Sequence, residues 1–251
     1  MPNSASLTLD GTGDYAYRTG DDAVLDLTTT WTIETWLYST TYNSADILLV
    51  SKGSRAWDDC PYYLQIAFNT LYAGYESGFT DYEVTYDISG LSTSTWHHMA
   101  ATYQSNLVRI YLDGALVATS GSLGTTPPVS TYRFAVGAQD VAGTFSATVT
   151  ACKQDEVRVW NVRRSDAEMT DYYNKQAVGN ETGLVGCWRF NSAATDETAN
   201  ALTLTLAGNA TYDTSIYPSL TDAGSLTAGE ILAALQPRIP YPRRRTEVSA
   251  Y

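Results

Sequence analysis

The residues best suited to do chemistry are few and grouped. His97 and His98 are the only imidazoles in the chain, and they open the phrase WHHMAATY (96–103). A Ser-His-Asp hydrolase built on a GxSxG elbow is not encoded, because no such phrase exists. Zinc is disfavoured too: Cys60, Cys152 and Cys187 stand far apart, with no CxxC spacing. Buried free thiols are the first expectation for these cysteines, and Cys152 with Cys187 is the pair if one bond forms. No Gly-rich phosphate loop lies between a strand and a helix. The chain reads as a non-enzyme.

The aromatic residues are more telling: 19 Tyr and six Trp. Five of the Trp fall inside strand-like phrases, where core packing accounts for them, but Trp57 sits in a loop beside Arg55, Asp58 and Asp59. Rings stack on the C–H faces of sugars while Arg and carboxylates bond hydroxyls. Arg55, Trp57, Asp58, Asp59, Tyr62 and Tyr75 are therefore the candidate glycan-binding set, with Tyr63, Tyr72 and Tyr82 nearby. The competing reading packs the same rings against the domain or another subunit.

These side chains need strands to hold them. Val108, Ile110 and Leu112 alternate with Arg109, Tyr111 and Asp113, and Asp113-Gly114 supplies a tight hairpin turn. With WHHMAATY before it and Ala115–Ala118 after it, this is a three-stranded meander. Further strands are expected at 6–9, 31–38, 47–51, 62–68, 70–75, 83–88, 133–137, 154–160, 183–190 and 201–206. The segment 31–38 is apolar on both faces and suits a central strand. Ser165-Asp166-Ala167-Glu168 is a capping box, predicting a helix over 166–174. A second such pattern at Thr227 opens a helix over 228–235 with Ile231, Leu232 and Leu235 on one face, ended by Pro237.

Net charge is −12, and four Arg with one Glu lie beyond Pro237, so the body is more acidic still. That excludes nucleic acid as a partner of the body. No apolar run approaches the ~18 residues of a membrane span. MPNSASLTLD has neither a basic nor an apolar leader region, so no signal peptide is expected.

Six phrases in order carry a resemblance: LTLDGTGDY (7–15), WTIETW (31–36), WHHMAATY (96–103), VRIYLDG (108–114), QDEVRVWN (154–161) and LVGCWRFN (184–191). Together they resemble the laminin-G-like, concanavalin A-like lectin family across residues 5–213. The resemblance implies an all-β, two-sheet antiparallel jelly-roll sandwich over 1–213, with one short helix. A C-terminal docking helix and basic Pro/Arg tail then occupies 214–251. It implies binding of glycans or proteins rather than catalysis, and a structural role for the phrase that contains both His.

Glycosidases of this fold carry a Glu-x-Asp-x-x-Glu strand; Glu34-Thr35-Trp36 and Asp155-Glu156-Val157 come nearest and lack the partner carboxylates. The resemblance also implies a structural Ca²⁺ held by Asp10, Asp155 and Asp196; the alternative is that Asp10 caps a turn and Asp155 ends a strand. The resulting expectation is a structural or decoration subunit displaying a lectin-like jelly roll on a large assembly, such as a phage particle. Its location is then the virion surface or another extracellular-facing assembly. It docks to neighbouring subunits through Ile231, Leu232, Leu235, Arg243, Arg244 and Arg245, and it can bind glycans or a host surface. The alternative is a stand-alone carbohydrate-binding lectin or cell-surface adhesion module.

Overall fold

The structure, a computed structural model, describes residues 3–55, 59–147 and 150–222. Alternation of apolar and polar side chains makes most of the chain antiparallel strand. The strands begin with β1 (Ser6–Leu9), β2 (Tyr15–Tyr17), β3 (Thr30–Ser39), β4 (Ile47–Lys52), β5 (Cys60–Ala67), β6 (Thr70–Ser77) and β7 (Thr80–Asp87). The meander is β8 (Trp96–Gln104), β9 (Leu107–Leu112) and β10 (Ala115–Thr119). Then come β11 (Phe134–Val136), β12 (Ala138–Val141), β13 (Thr144–Ala147) and β14 (Cys152–Trp160). The helix α1 (Asp166–Tyr172) precedes β15 (Lys175–Gln176), β16 (Leu184–Trp188), β17 (Thr205–Ala207), β18 (Thr211–Asp213) and β19 (Thr221–Asp222).

Two sheets stack as a jelly-roll sandwich. One runs β10-β9-β8-β3-β14-β1-β18, with β16 also on β14; the other runs β17-β2-β11-β4-β5-β6-β7. Their inner faces share one core that includes Leu7, Trp31, Ile33, Tyr62, Tyr75, Tyr103, Phe134 and Trp188. β3 is central, as its two apolar faces require, flanked by β8 and β14. Its inner face meets the core, and on its outer face Trp36 stacks on Tyr173, the residue that follows α1. β2 occupies a stretch whose Gly and Asp content reads as turn; its pairing with β11 and β17 outweighs that local signal. The chain also stays against the domain past Asp213, where β19 pairs in parallel with β15.

Five hairpins turn on two residues that both have positive φ: Phe68-Asn69, Gly78-Phe79, Ser105-Asn106, Asp113-Gly114 and Ala142-Gly143. This is the turn whose twist matches that of the strands it joins. Gly114 is needed twice over. Its φ is +78, and a Cβ there would lie 2.6 Å from the Tyr173 ring. The DG turn is therefore a seat for the end of the helix, and Thr170 Oγ1 donates to Gly114 O at 3.1 Å. The predicted capping box is formed: Ser165 accepts from the Glu168 amide, and Glu168 accepts from the Ser165 amide.

All three cysteines are free and buried, so no Cys152–Cys187 bond exists. Burial pushes the Cys152 thiol up to about 12. Among the described residues no helix is long and apolar enough to cross a membrane.

Both histidines serve the scaffold. His98 Nε2 lies 2.9 Å from the Glu34 carboxylate, buried. His97 bridges Asp113 Oδ2 (2.8 Å) and the Ser92 carbonyl (3.0 Å), clamping the DG turn to the start of β8. The bond to Asp113 raises His97 above its ordinary 6.5. Burial alone would raise Asp113, but bonds from His97 and the His98 amide outweigh it and hold the carboxyl below its ordinary range. Stability from the His97 proton is complete below pH ~6.5 and fades as pH rises through the higher folded value. Stability from the Asp113 charge is complete above pH ~3.9 and fades as pH falls through the lower folded value. His97→Gln should therefore cost most stability between about pH 4 and 6.5, on the order of 0.5 kcal/mol given that Asp113 is 40% exposed. Denaturant unfolding that shows the same loss at about pH 5 and pH 9 contradicts this coupling.

Tyr62 and Tyr63 are neighbours and so face opposite ways. Tyr62 is fully buried in the core, its ring centroid 6.0 Å from that of Trp31, whereas Tyr63 lies on the opposite face of β5, itself buried beneath Arg55. Tyr62→Ala should cost about 3–5 kcal/mol of unfolding free energy, while Tyr72→Ala on the outer face costs about 1 kcal/mol or less. Equal losses in urea titrations would overturn the assignment of faces.

Candidate functional site

The outer face of the second sheet carries the polar and aromatic cluster. Strand register sets Ser51, Tyr63, Gly74 and Glu83 side by side across β4–β7. Gly74 has no side chain, so the Tyr63 hydroxyl reaches over it and donates to Glu83 Oε2 at 2.5 Å. A Cβ at Gly74 would press to 2.2 Å from the Tyr82 carbonyl, so the close approach depends on glycine. Burial, then the Glu83 charge, pushes the Tyr63 phenol up, so it stays a proton donor.

Arg55 lies across this row. Its guanidinium pairs with Asp81 at 3.0 Å and Glu83 at 3.1 Å. It also lies over the rings of Tyr63 and Tyr72, 5.4 and 5.0 Å from their centroids. Gln139 Oε1 accepts from the Arg55 amide and the Ser54 hydroxyl, both at 3.3 Å, tying the β4–β5 loop to β12. Arg55, Asp81, Glu83 and Tyr72 all retain contact with solvent. At the neighbouring turn Phe79 is 75% exposed at φ +58, a conformation that bulky residues seldom adopt. The face thus presents rings, a cation and two carboxylates, able to stack on a ring-shaped ligand and to donate to or accept from its hydroxyls.

Of the residues proposed from sequence, Arg55 is in this cluster, and Asp59, at φ +63, directly precedes β5. Trp57 and Asp58 lie outside the described residues. Tyr62 and Tyr75 are corrected: both are fully buried, Tyr75 stacked 5.2 Å from Tyr82 and donating to Thr125 O, so they pack the core and meet no ligand. Period-2 parity would have found Tyr63, Tyr72, Asp81 and Glu83 instead, had the inward face of β5 been known. Ile231, Leu232, Leu235, Arg243, Arg244 and Arg245 lie outside the described residues.

The three carboxylates proposed for Ca²⁺ are not brought together. Asp10 accepts from the Thr12 amide and Asn209, capping its turn. Asp155 is buried, accepts from Asn3 and the Glu156 amide, and burial pushes its carboxyl well up, which ill suits a calcium ligand. Asp196 accepts from the amides of Cys187, Thr198 and Leu202, holding its loop. Among the described residues there is no group of three or more His, Cys, Asp or Glu that could hold a metal ion. These residues do not fit a shared Ca²⁺ site.

The structure does juxtapose a Ser, a His and an Asp: Ser92 Oγ is 3.0 Å from His97 Nε2, and Nδ1 faces Asp113. However, Nε2 is also 3.0 Å from the Ser92 carbonyl, an acceptor only. The ring there is a donor, as its raised pKa implies, and not the base that would activate a hydroxyl.

Comparison with known proteins agrees with the geometry. The sequence profile described as the Concanavalin A-like lectin/glucanases superfamily, a laminin G-like family, matches residues 10–170. No curated protein sequence matches the chain. Among solved structures, a candidate carbohydrate binding protein of Bacteroides ovatus superposes with TM-score 0.62 at 18% identity, over 87% of this chain and 62% of that one. The chain thus spans less than two thirds of that protein. The heptameric SAP-like pentraxin of Limulus polyphemus superposes with TM-score 0.62 at 11% identity, over 87% of this chain and 98% of that one. At such identities the likeness is one of fold. With more than half its length matched by the family profile, this chain belongs to the laminin G-like branch of the concanavalin A-like lectin/glucanases superfamily.

Proposed function

We propose that the chain is a non-catalytic, lectin-like carbohydrate-binding module whose ligand face is the outer surface of β5–β7 around Arg55. The observation that carries this reading is the Arg55 guanidinium, held between Asp81 and Glu83 and over the Tyr63 and Tyr72 rings. Sugars offer apolar C–H faces to rings and hydroxyls to charged groups, and this face has both kinds of partner. Membership of a lectin superfamily and the carbohydrate binding named for the Bacteroides protein support it.

Both carboxylates share one Arg and so are arranged as hydrogen-bond acceptors, not as an acid and a base set apart across a scissile bond. Display in several copies, as in the heptameric pentraxin, would raise weak single-site affinity through avidity. On a glycan array, Tyr72→Ala and Arg55→Ala should each weaken binding by about tenfold while the melting temperature shifts by only a few degrees. Glycan binding that survives both substitutions unchanged sinks this reading.

A further inference from the structure

The opposite face of the sandwich holds a separate feature. Between α1 and the turn at 177–181 lies a pocket of about 420 Å³, within the ~300–1,000 Å³ range of small-molecule sites. Arg158 and Trp160 form its floor, 3% and 2% exposed. Arg164 and Tyr172 line it on the helix side, and Asn180 and Glu181 line it opposite. The Arg164 guanidinium is stacked 4.3 Å from the Trp160 ring centroid, which fixes its plane. Lys175, its Nζ 4.7 Å from the Tyr172 ring, adds positive charge.

The hydrogen-bond groups in this pocket are unbalanced. Glu168 is used by the helix cap, accepting from the Ser165 amide and hydroxyl, with Arg164 Nη1 at 3.2 Å from its other oxygen. Glu181 accepts from the amides of Val178 and Gly179, one on each oxygen. Both carboxylates are thus already engaged by protein donors, whereas several of the donors are not engaged. Arg158 spends Nε and Nη2 on Glu156 and the Lys175 carbonyl, but among the described residues its Nη1 makes no hydrogen bond, the Glu34 carboxylate being 3.7 Å away. Among the described residues, Arg164 Nε and Nη2 and the Asn180 side-chain amide donate to nothing. A near-buried guanidinium with an unfilled N–H calls for an acceptor, and planar guanidinium groups match carboxylates best.

We propose that this pocket is a second binding site, for a small carboxylate whose charged end meets Arg158 and Arg164 and whose body lies along Tyr172 and Asn180. The site is independent of the sugar face on the other sheet, and either can fail alone. The floor is built and not incidental: Glu156 holds Arg158 from a bulge in β14, at φ +47, where only a strongly favoured contact keeps a non-glycine residue. Two sources of the carboxylate, an acidic sugar and an aliphatic acid, are separable by titration.

Calorimetric titration of the full chain with glucuronate, glucose and glutarate tests the site. At least one of the two acids should bind with a Kd on the order of 1 mM or tighter, and glucose, which lacks the carboxylate, at least about tenfold more weakly. Whichever acid binds more tightly names the body. Arg164→Gln should weaken acid binding by about tenfold or more, and Asn180→Ala, an exposed change that spares the fold, by about threefold. Binding should also weaken as salt rises. The proposal is overturned if neither acid binds up to about 10 mM, or if both variants, folded by thermal melt, bind the acids as the parent does.

Discussion

The fold depends on one buried charge network. Glu34 on β3 faces Arg158 on β14 across the centre of the first sheet, with Trp160 Nε1 donating to Glu34 at 2.7 Å and His98 at 2.9 Å on its other oxygen. Burial alone would raise the Glu34 carboxyl; the Arg158 charge and the bond to His98 hold it down at about 2. Removing one member of such a set leaves its partner charged without solvent, a penalty of about 3–5 kcal/mol, so the three central strands β8, β3 and β14 can join in only one register. Glu156 takes the other side of Arg158 from its bulge, at 2.7 Å. The helix then closes over this face, with Met169 packed on Ala100 and Tyr111.

That network divides the labour between the two sheets. On the first sheet's outer face, beside α1 and the turns that follow, Glu34, Glu156 and Arg158 are buried, and Arg158 lines the pocket beside the helix. The outer face of the second sheet keeps Arg55, Asp81, Glu83 and Tyr72 in contact with solvent, above a buried Tyr63. The sandwich core lies between the two faces, and the lectin-like face and the carboxylate pocket share no residue.

Much of the scaffold was legible from sequence. Period-2 alternation located the long strands and the meander, and Ser165 and Glu168 marked the helix start, because these signals are local. The short β2 was not legible, since Tyr15–Tyr17 lies among Gly and Asp and becomes strand only through its neighbours. Of the candidate site, Arg55 was legible from its loop; Tyr63, Tyr72, Asp81 and Glu83 were not chosen as a set. In a run such as CPYYLQIA two adjacent tyrosines occupy opposite faces, and nothing local says which one meets Trp31. Asp10, Asp155 and Asp196 were candidate ligands through the family resemblance, yet each accepts from a backbone amide one or two residues on, Thr12, Glu156 and Thr198.

The sequence by itself determined the superfamily, the positions of the long strands along the chain, the DG turn and the capping box, because each depends on residues within a few positions of one another or on the phrases of a shared pattern. Only the tertiary structure decided which tyrosines are core and which are surface. It alone placed His97 in a turn clamp, and it alone brought Arg158, Arg164 and Asn180 around one pocket. Those outcomes turn on contacts between segments far apart in the chain, and on how burial leaves some hydrogen-bond donors filled and others open.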